Sequence, residues 1–65
     1  MKLSREKIDL CRAQKCYSIS DLAKAYGVTR TRMQNILNQR EVTPMVAGRM
    51  AAALVVDVTE ILEKN

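Results

Sequence analysis

Apolar residues along this chain are spaced by three and four positions, which is the spacing of the buried face of an amphipathic α-helix. Met33, Ile36 and Leu37 show this spacing most clearly. No alternation of apolar and polar residues continues long enough to predict a β-strand. The pattern therefore predicts an all-α fold, with helices near residues 4–15, 19–26, 30–38, 44–54 and 58–64.

Each predicted helix also begins with a residue type that caps helices. The side chains of Ser, Thr and Asp accept hydrogen bonds from the first free N–H groups, and a preceding apolar residue can pack five positions further on. The five predicted caps are Ser4, Ser18, Thr29, Thr43 and Asp57. Asp21 and Glu60 complete capping boxes at two of them, and Pro44 fills a first helical position where its missing N–H costs nothing. Five such starts in 65 residues predict a compact five-helix bundle.

Length and composition narrow the class of protein. The 65 residues suffice for one domain, residues 1–65, which buries only ~60% of the surface of the unfolded chain. With 48% apolar and 28% charged residues, the chain is too apolar to be disordered. No apolar run approaches the ~20 residues of a membrane span, and Met1–Leu10 lacks the apolar stretch of a signal peptide.

The two cysteines predict free thiols. Cys11 and Cys16 lie five positions apart, which places them on different faces of a helix. We therefore expect reduced thiols in a cytoplasmic protein, one of them in the core. The chain has no histidine, so a zinc site lacks ligands, and we expect no cofactor and no small-molecule ligand.

The best apolar pattern, residues 19–37, contains a glycine in its middle. Gly27 directly follows a predicted eight-residue helix and can end it in the left-handed conformation at little cost. Thr29 then caps a new helix, and the small side chain of Ala23 allows the two helices to cross closely. The sequence thus predicts a helix-turn-helix over about residues 18–38.

The charge of the chain is unevenly distributed. Its net charge is +4, with five cations and two anions in residues 1–15, three cations and no anion in residues 29–40, and a net −2 in residues 55–65. Basic charge that avoids the C-terminal end suits a polyanion approaching one side of the domain.

The third predicted helix presents hydrogen-bonding groups. The outward residues are Arg30, Thr31, Arg32, Gln34 and Asn35, and no acid occurs from Val28 to Arg40. Arg can pair with guanine, Asn or Gln with adenine, and the methyl group of Thr can contact that of thymine. Two cations at a helix N-terminus oppose the dipole by roughly a few tenths of a kcal/mol each, a local conflict that favours a functional constraint. The alternative interpretation is an ordinary solvated face.

Five segments resemble the phage Cro and repressor family of helix-turn-helix proteins, also called XRE-type or lambda repressor-like. They are Ser18–Ala23, Gly27–Met33, Pro44, Arg49–Leu54 and Val56–Leu62, so the resemblance covers roughly residues 5–62. It implies a five-helix domain, usually a symmetric dimer, whose third helix (about residues 30–38) enters the major groove of double-stranded DNA. A palindromic operator is the partner that such a dimer implies.

Carried over by position, the resemblance implies two sets of DNA contacts. Base contacts fall on Arg30, Thr31, Gln34 and Asn35, while Arg32 meets a base or a phosphate. Phosphate contacts fall at the starts of the second and third helices and in the loop after the third helix. These residues are Ser18, Ser20, Thr29, Asn38, Gln39 and Arg40.

Three departures from the family pattern lead to further expectations. Arg12 matches a family arginine that pairs with an acid at the end of the third helix, but Leu37 stands there, so Arg12 needs another partner or points to solvent. Cys16 and Val55 stand where the family has glycine, and since valine disfavours positive φ, we expect the fourth helix to end differently. Gly48 inside that helix costs ~1 kcal/mol relative to Ala and either permits a close helix contact or is neutral.

Two functions fit these features. The first is a transcriptional regulator that acts by occupying an operator, without catalysis, because no acid pair or phosphate-binding loop is evident. The second is a protein-interaction module on the same fold, antitoxin-like or adaptor-like. The C-terminal half has more apolar residues than one core needs, which predicts a homodimer through the C-terminal helices; a different protein partner and an ordinary core are the alternatives. We expect no membrane partner, because Glu6 and Asp9 interrupt the basic face of the first helix, which also lacks interfacial aromatic residues. That apolar set is Met45, Val46, Leu54, Val55, Val56, Val58, Ile61 and Leu62.

Overall fold

A computed structural model describes residues 1–39 and 41–63. The elements are α1 (Arg5–Lys15), α2 (Ile19–Tyr26), α3 (Arg30–Asn38), α4 (Pro44–Leu54) and a short 3-10 turn (Val58–Glu60). The predicted all-α class is confirmed, since the described part of the chain contains no strand beyond an isolated bridge between Leu3 and Leu62.

Four of the five predicted helix caps form. The Ser4 hydroxyl accepts from the N–H of Lys7, and Thr29 and Thr43 accept in the same way from residues three positions on, each at 3.2 Å. At α2, Ser18 and Asp21 form the reciprocal capping box, with distances of 3.1 and 3.0 Å. The starts of α1 to α4 therefore follow from local hydrogen bonding, as the sequence predicts.

The predicted fifth helix is wrong in both type and length. Residues 58–60 form a single 3-10 turn, and Asp57 makes no side-chain cap hydrogen bond. A longer helix would need the N–H of Glu63 to donate to the carbonyl four residues back, but it donates to the Lys2 carbonyl at 3.0 Å. Pairing with the N-terminal segment thus replaces the helix. Residue 64, the last of the predicted helix, lies outside the described residues.

The expected different ending of α4 is also wrong. Val55 ends α4 in the left-handed conformation at φ 57°, and Cys16 ends α1 at the same φ. In both cases the next residue donates its N–H to a carbonyl five positions back and packs against the core. Such a hydrophobic contact accompanies the Schellman type of helix end. It holds the backbone of Cys16 and Val55 in a conformation that costs about 1–2 kcal/mol.

The helices bury one continuous core. Each of α1 to α4 contributes at least one large, fully buried side chain, and Ile61 follows directly after the 3-10 turn. These residues are Ile8, Leu22, Met33, Met50, Leu54 and Ile61. Leu10 of α1, by contrast, is 62% exposed. Cys11 is buried and Cys16 exposed, both as free thiols, as predicted. Gly48 makes no close helix contact, because a Cβ there would meet nothing within 4 Å.

None of the helices found in residues 1–39 and 41–63 combines the length and the apolar character needed to cross a bilayer.

Candidate nucleic-acid interface

A three-residue turn joins α2 to α3 and determines how α3 is presented. Gly27 adopts φ 96° and ψ 33°, which favours glycine. The N–H groups of Gly27 and Val28 both donate to the Ala23 carbonyl, at 2.8 and 3.0 Å. Thr29 then returns to extended backbone and caps α3. The predicted glycine break is therefore confirmed as a helix, a short turn and a second helix.

The two sides of α3 differ completely in chemistry. Met33, Ile36 and Leu37 are buried in the core. The predicted base-contact residues lie away from them: Arg30, Thr31, Arg32 and Asn35 are exposed and Gln34 is half-buried. The polar side is thus accessible and is not covered by the other described elements.

Arg32 lies at one edge of the polar side of α3, and Arg30 lies at the other edge. At 3.6 residues per turn, Arg30, Thr31, Gln34 and Asn35 share one arc of the helix, and Arg32 lies roughly 130° from the centre of that arc. It sits on the flank next to the buried side of α3. Both roles expected for Arg32, contact with a base and contact with a phosphate at the groove edge, fit this position.

The two arginines of α3 have no acidic partner among the described residues. Among the described residues, neither Arg30 nor Arg32 forms an ion pair, and the only ion pairs join Arg5 and Arg12 to Asp9. No Asp or Glu occurs between Asp21 and Glu41. The first turn of α3 therefore combines two free cations with the unpaired N–H groups of a helix N-terminus, an arrangement that attracts anions.

The predicted phosphate contacts near α3 lie at its two ends. Thr29 is exposed at the start of α3, where its oxygen accepts from Arg32 N–H and its hydroxyl hydrogen stays available as a donor. Asn38 and Gln39 are exposed at the other end of α3. Arg40 lies outside the described residues.

The Asp21 carboxylate lies beside Ser18, one of the two serines predicted to contact a phosphate at the start of α2. Both serines are exposed at the start of α2, but the Asp21 carboxylate accepts from the Ser18 backbone N–H at 3.0 Å. Hydrogen bonds from the backbone and side chain of Ser18 hold the pKa of Asp21 below its ordinary value of 3.8. Asp21 is therefore negatively charged near neutral pH, and its charge opposes a phosphate at Ser18.

The loop after α3 is held by the beginning of the chain. Val42 is buried, its N–H donates to the Met1 carbonyl at 2.8 Å, and its carbonyl accepts from the Met1 amino group at 3.1 Å. No local sequence signal predicts this pairing, because the partners lie 41 positions apart. It ties the chain two positions before α4 to the N-terminal residue.

A second contact that the sequence did not predict reaches the turn before α3. Arg49 of α4 donates through Nη2 to the carbonyl of Tyr26 at 3.0 Å, and its Cζ lies 4.5 Å from the centre of the Tyr26 ring. Nothing in the sequence around Arg49 indicates this partner, which lies 23 positions away.

Comparison of the chain with protein-family models, with curated proteins and with solved structures gives no match. The likeness to the Cro and repressor family therefore rests on the residues quoted above.

Proposed function

We propose that this protein is a sequence-specific double-stranded-DNA-binding transcriptional regulator of the phage Cro and repressor-like helix-turn-helix type, with α3 lying in the major groove. One observation carries the proposal: the exposed side of α3 is acid-free and rich in Arg, Thr, Gln and Asn, directly behind a three-residue turn. A helix of this size fits the major groove of B-form DNA.

The exposed arc of α3 offers groups that can read the edges of guanine, adenine and thymine. Arg30 can pair bidentately with guanine, and Asn35 or Gln34 with adenine. The Thr31 methyl group can meet that of thymine. Arg32, on the flank, and Thr29, at the cap, supply phosphate contacts that orient the helix without reading sequence.

The proposed mechanism is occupancy of an operator. The described residues form one small helical core that presents α3, and occupancy requires nothing more than binding by this helix. Binding would then block or assist polymerase directly. Much of the affinity comes from cations that replace counterions on the phosphates, so binding weakens steeply as salt concentration rises.

Selection of bound duplexes from a random pool tests this proposal. We expect an enriched consensus, and a plot of log K against log salt concentration with a slope of about −0.9 for each neutralised phosphate. A palindromic consensus would also support a symmetric dimer. A pool without enrichment, or affinity that is independent of salt, would contradict DNA binding.

The alternative, a protein-interaction module or a homodimer through the C-terminal helices, is favoured by apolar side chains left exposed on α4. Met45 and Val55, at its two ends, are 77% and 72% exposed. The remainder of the apolar set predicted for the interface is buried or half-buried against the core, which leaves less for a partner than the sequence suggested. Sedimentation equilibrium of the chain alone, and with a selected duplex, separates a pre-formed dimer from one that forms only on DNA.

A further inference from the structure

The C-terminal end of α2 depends on a side chain from another helix. The last carbonyls of an α-helix have no partner within it. The Ala23 carbonyl accepts from both Gly27 and Val28, and the Tyr26 carbonyl accepts from Arg49. A cation is favourable at this place because it also interacts with the negative end of the helix dipole.

The hydrogen bond from Arg49 connects α4 to the end of α2. Within residues 18–39, it is the only hydrogen bond that the described residues make to another element. All other hydrogen bonds of this segment join groups within α2, the turn and α3. Apart from Arg49, apolar packing alone holds the α2–α3 unit against α4, and such packing is not directional.

Arg49 also lies directly against the turn. Its guanidinium group stacks over the ring of Tyr26, which is only 7% exposed. A Cβ built on Gly27 would lie 3.7 Å from Arg49 Nη2. The planar group therefore has its position defined by the ring and by the carbonyl, as arginine allows and lysine does not.

We infer that Arg49 is a positioning residue for DNA recognition: by holding the Tyr26 carbonyl, it fixes the turn at Gly27 and thereby the direction in which α3 leaves the bundle. This inference rests on the proposed function of α3. Arg49 itself acts through the turn rather than through a contact with DNA.

A comparison of two duplexes separates positioning from a charge effect. Arg49→Met keeps most of the stem and loses the hydrogen bond to the Tyr26 carbonyl. Lys15→Met, at an exposed position of α1, is the control for losing one charge. On the selected duplex, we expect Arg49→Met to weaken binding about three- to tenfold, as loss of one well-placed charged hydrogen bond does. On a scrambled duplex, we expect both variants to stay within about twofold of wild type.

Equal losses on both duplexes would overturn the inference, because Arg49 would then be a general phosphate contact. No loss on either duplex would overturn it as well. Arg49→Lys keeps the charge and one donor but cannot match the planar stacking, so we expect its affinity for the selected duplex to lie between those of wild type and Arg49→Met.

Amide hydrogen exchange tests the same inference without DNA and stays informative if wild type binds no duplex. In Arg49→Met we expect exchange at Gly27 and Val28 to accelerate about tenfold relative to Leu54, a core amide of α4 in the same sample. Equal acceleration at all three would show a general stabilising role and overturn the inference. Absence of salt-dependent duplex binding by wild type, with the local acceleration still present, would reject the DNA-binding proposal but not the positioning of the turn.

Discussion

The helices α1 and α3 are both rich in cations, yet their cations are used differently. In α1, Arg5 and Arg12 share the carboxylate of Asp9 at 3.3 and 2.9 Å, and Lys7 donates to the Leu62 carbonyl at 3.0 Å. Arg12 also donates to the Tyr17 carbonyl at 3.0 Å. Three of the five cations in residues 1–15 thus have partners within the molecule, while the described residues give Arg30 and Arg32 of α3 no ion pair.

This difference shows that the charge of a segment does not by itself identify a surface for a polyanion. Asp9 lies four positions after Arg5 and three before Arg12, a spacing that brings the side chains together on a helix. In α3 no acid stands at such a spacing. Residues 1–15 and residues 29–40 each have a formal charge of +3. Most cations of α1 hold the fold, while Arg30 and Arg32 of α3 form no ion pair with any described residue.

The largest expected effect is on DNA binding. Arg30→Ala should weaken binding to the selected duplex by ~1–3 kcal/mol and relax base choice at one position, because it removes a bidentate contact. Arg5→Ala, which removes a cation from α1, should change affinity little. Fluorescence anisotropy on the selected duplex measures both. Equal losses in the two variants would mean that α3 has no special role.

The free energy of unfolding should depend on a cation of α1 more than on a cation of α3. Arg12→Met removes the bonds to Asp9 and to the Tyr17 carbonyl, and we expect it to lower the free energy of unfolding by about 1–3 kcal/mol. Arg32→Met should change it by less than about 0.5 kcal/mol, because its side chain is exposed and holds no other element. Urea denaturation of both variants gives the comparison. A larger loss for Arg32→Met would assign it a structural role.

The ends of α1 and α2 offer a third contrast. Gly27→Ala places a Cβ at φ 96° and should cost about 1–2 kcal/mol, because this conformation is unfavourable for an L-residue. Cys16→Gly relieves the same kind of strain at φ 57°, and after the added flexibility of the unfolded chain we expect a gain of up to about 1 kcal/mol. Thermal unfolding of the two variants tests the signs, and a loss in both would contradict strain at Cys16.

The smallest expected effect is the loss of stability at low pH. The hydrogen bond from Arg12, followed by that from Arg5, holds the pKa of Asp9 below 3.8. The folded state therefore gains stability from Asp9 above pH 3.8, and loses that gain as pH falls through the lowered pKa. Asp9 is 45% exposed, so the gain is less than about 1 kcal/mol.

Carbon NMR titration of Asp9 measures this shift directly. We expect the pKa of Asp9 to move back toward 3.8 in Arg12→Met, and to stay unchanged in Arg32→Met. A pKa of Asp9 that is the same in wild type and Arg12→Met would contradict the ion pair.

Much of the fold could be predicted because helix starts are local. A cap, the N–H group that it binds and the first buried residues all lie within about one turn of each other. Ser4, Ser18, Thr29 and Thr43 therefore appear in the sequence as they act in the structure. The accessible side of α3 was predictable for the same reason, since its polar and apolar residues alternate with the helix period. That this side binds DNA stays a prediction.

Only the tertiary structure decided the remaining features, because their partners are distant in sequence. Lys7 and the Leu62 carbonyl are 55 positions apart, and Arg49 and the Tyr26 carbonyl are 23 apart. The same holds for the end of the chain, where pairing of Glu63 with Lys2 replaces the predicted helix. The sequence determines where α1 to α4 start and which side of each is buried, because those signals lie within about one helical turn. Packing between distant segments determines how the chain continues after Val58–Glu60 and which carbonyls Lys7 and Arg49 reach.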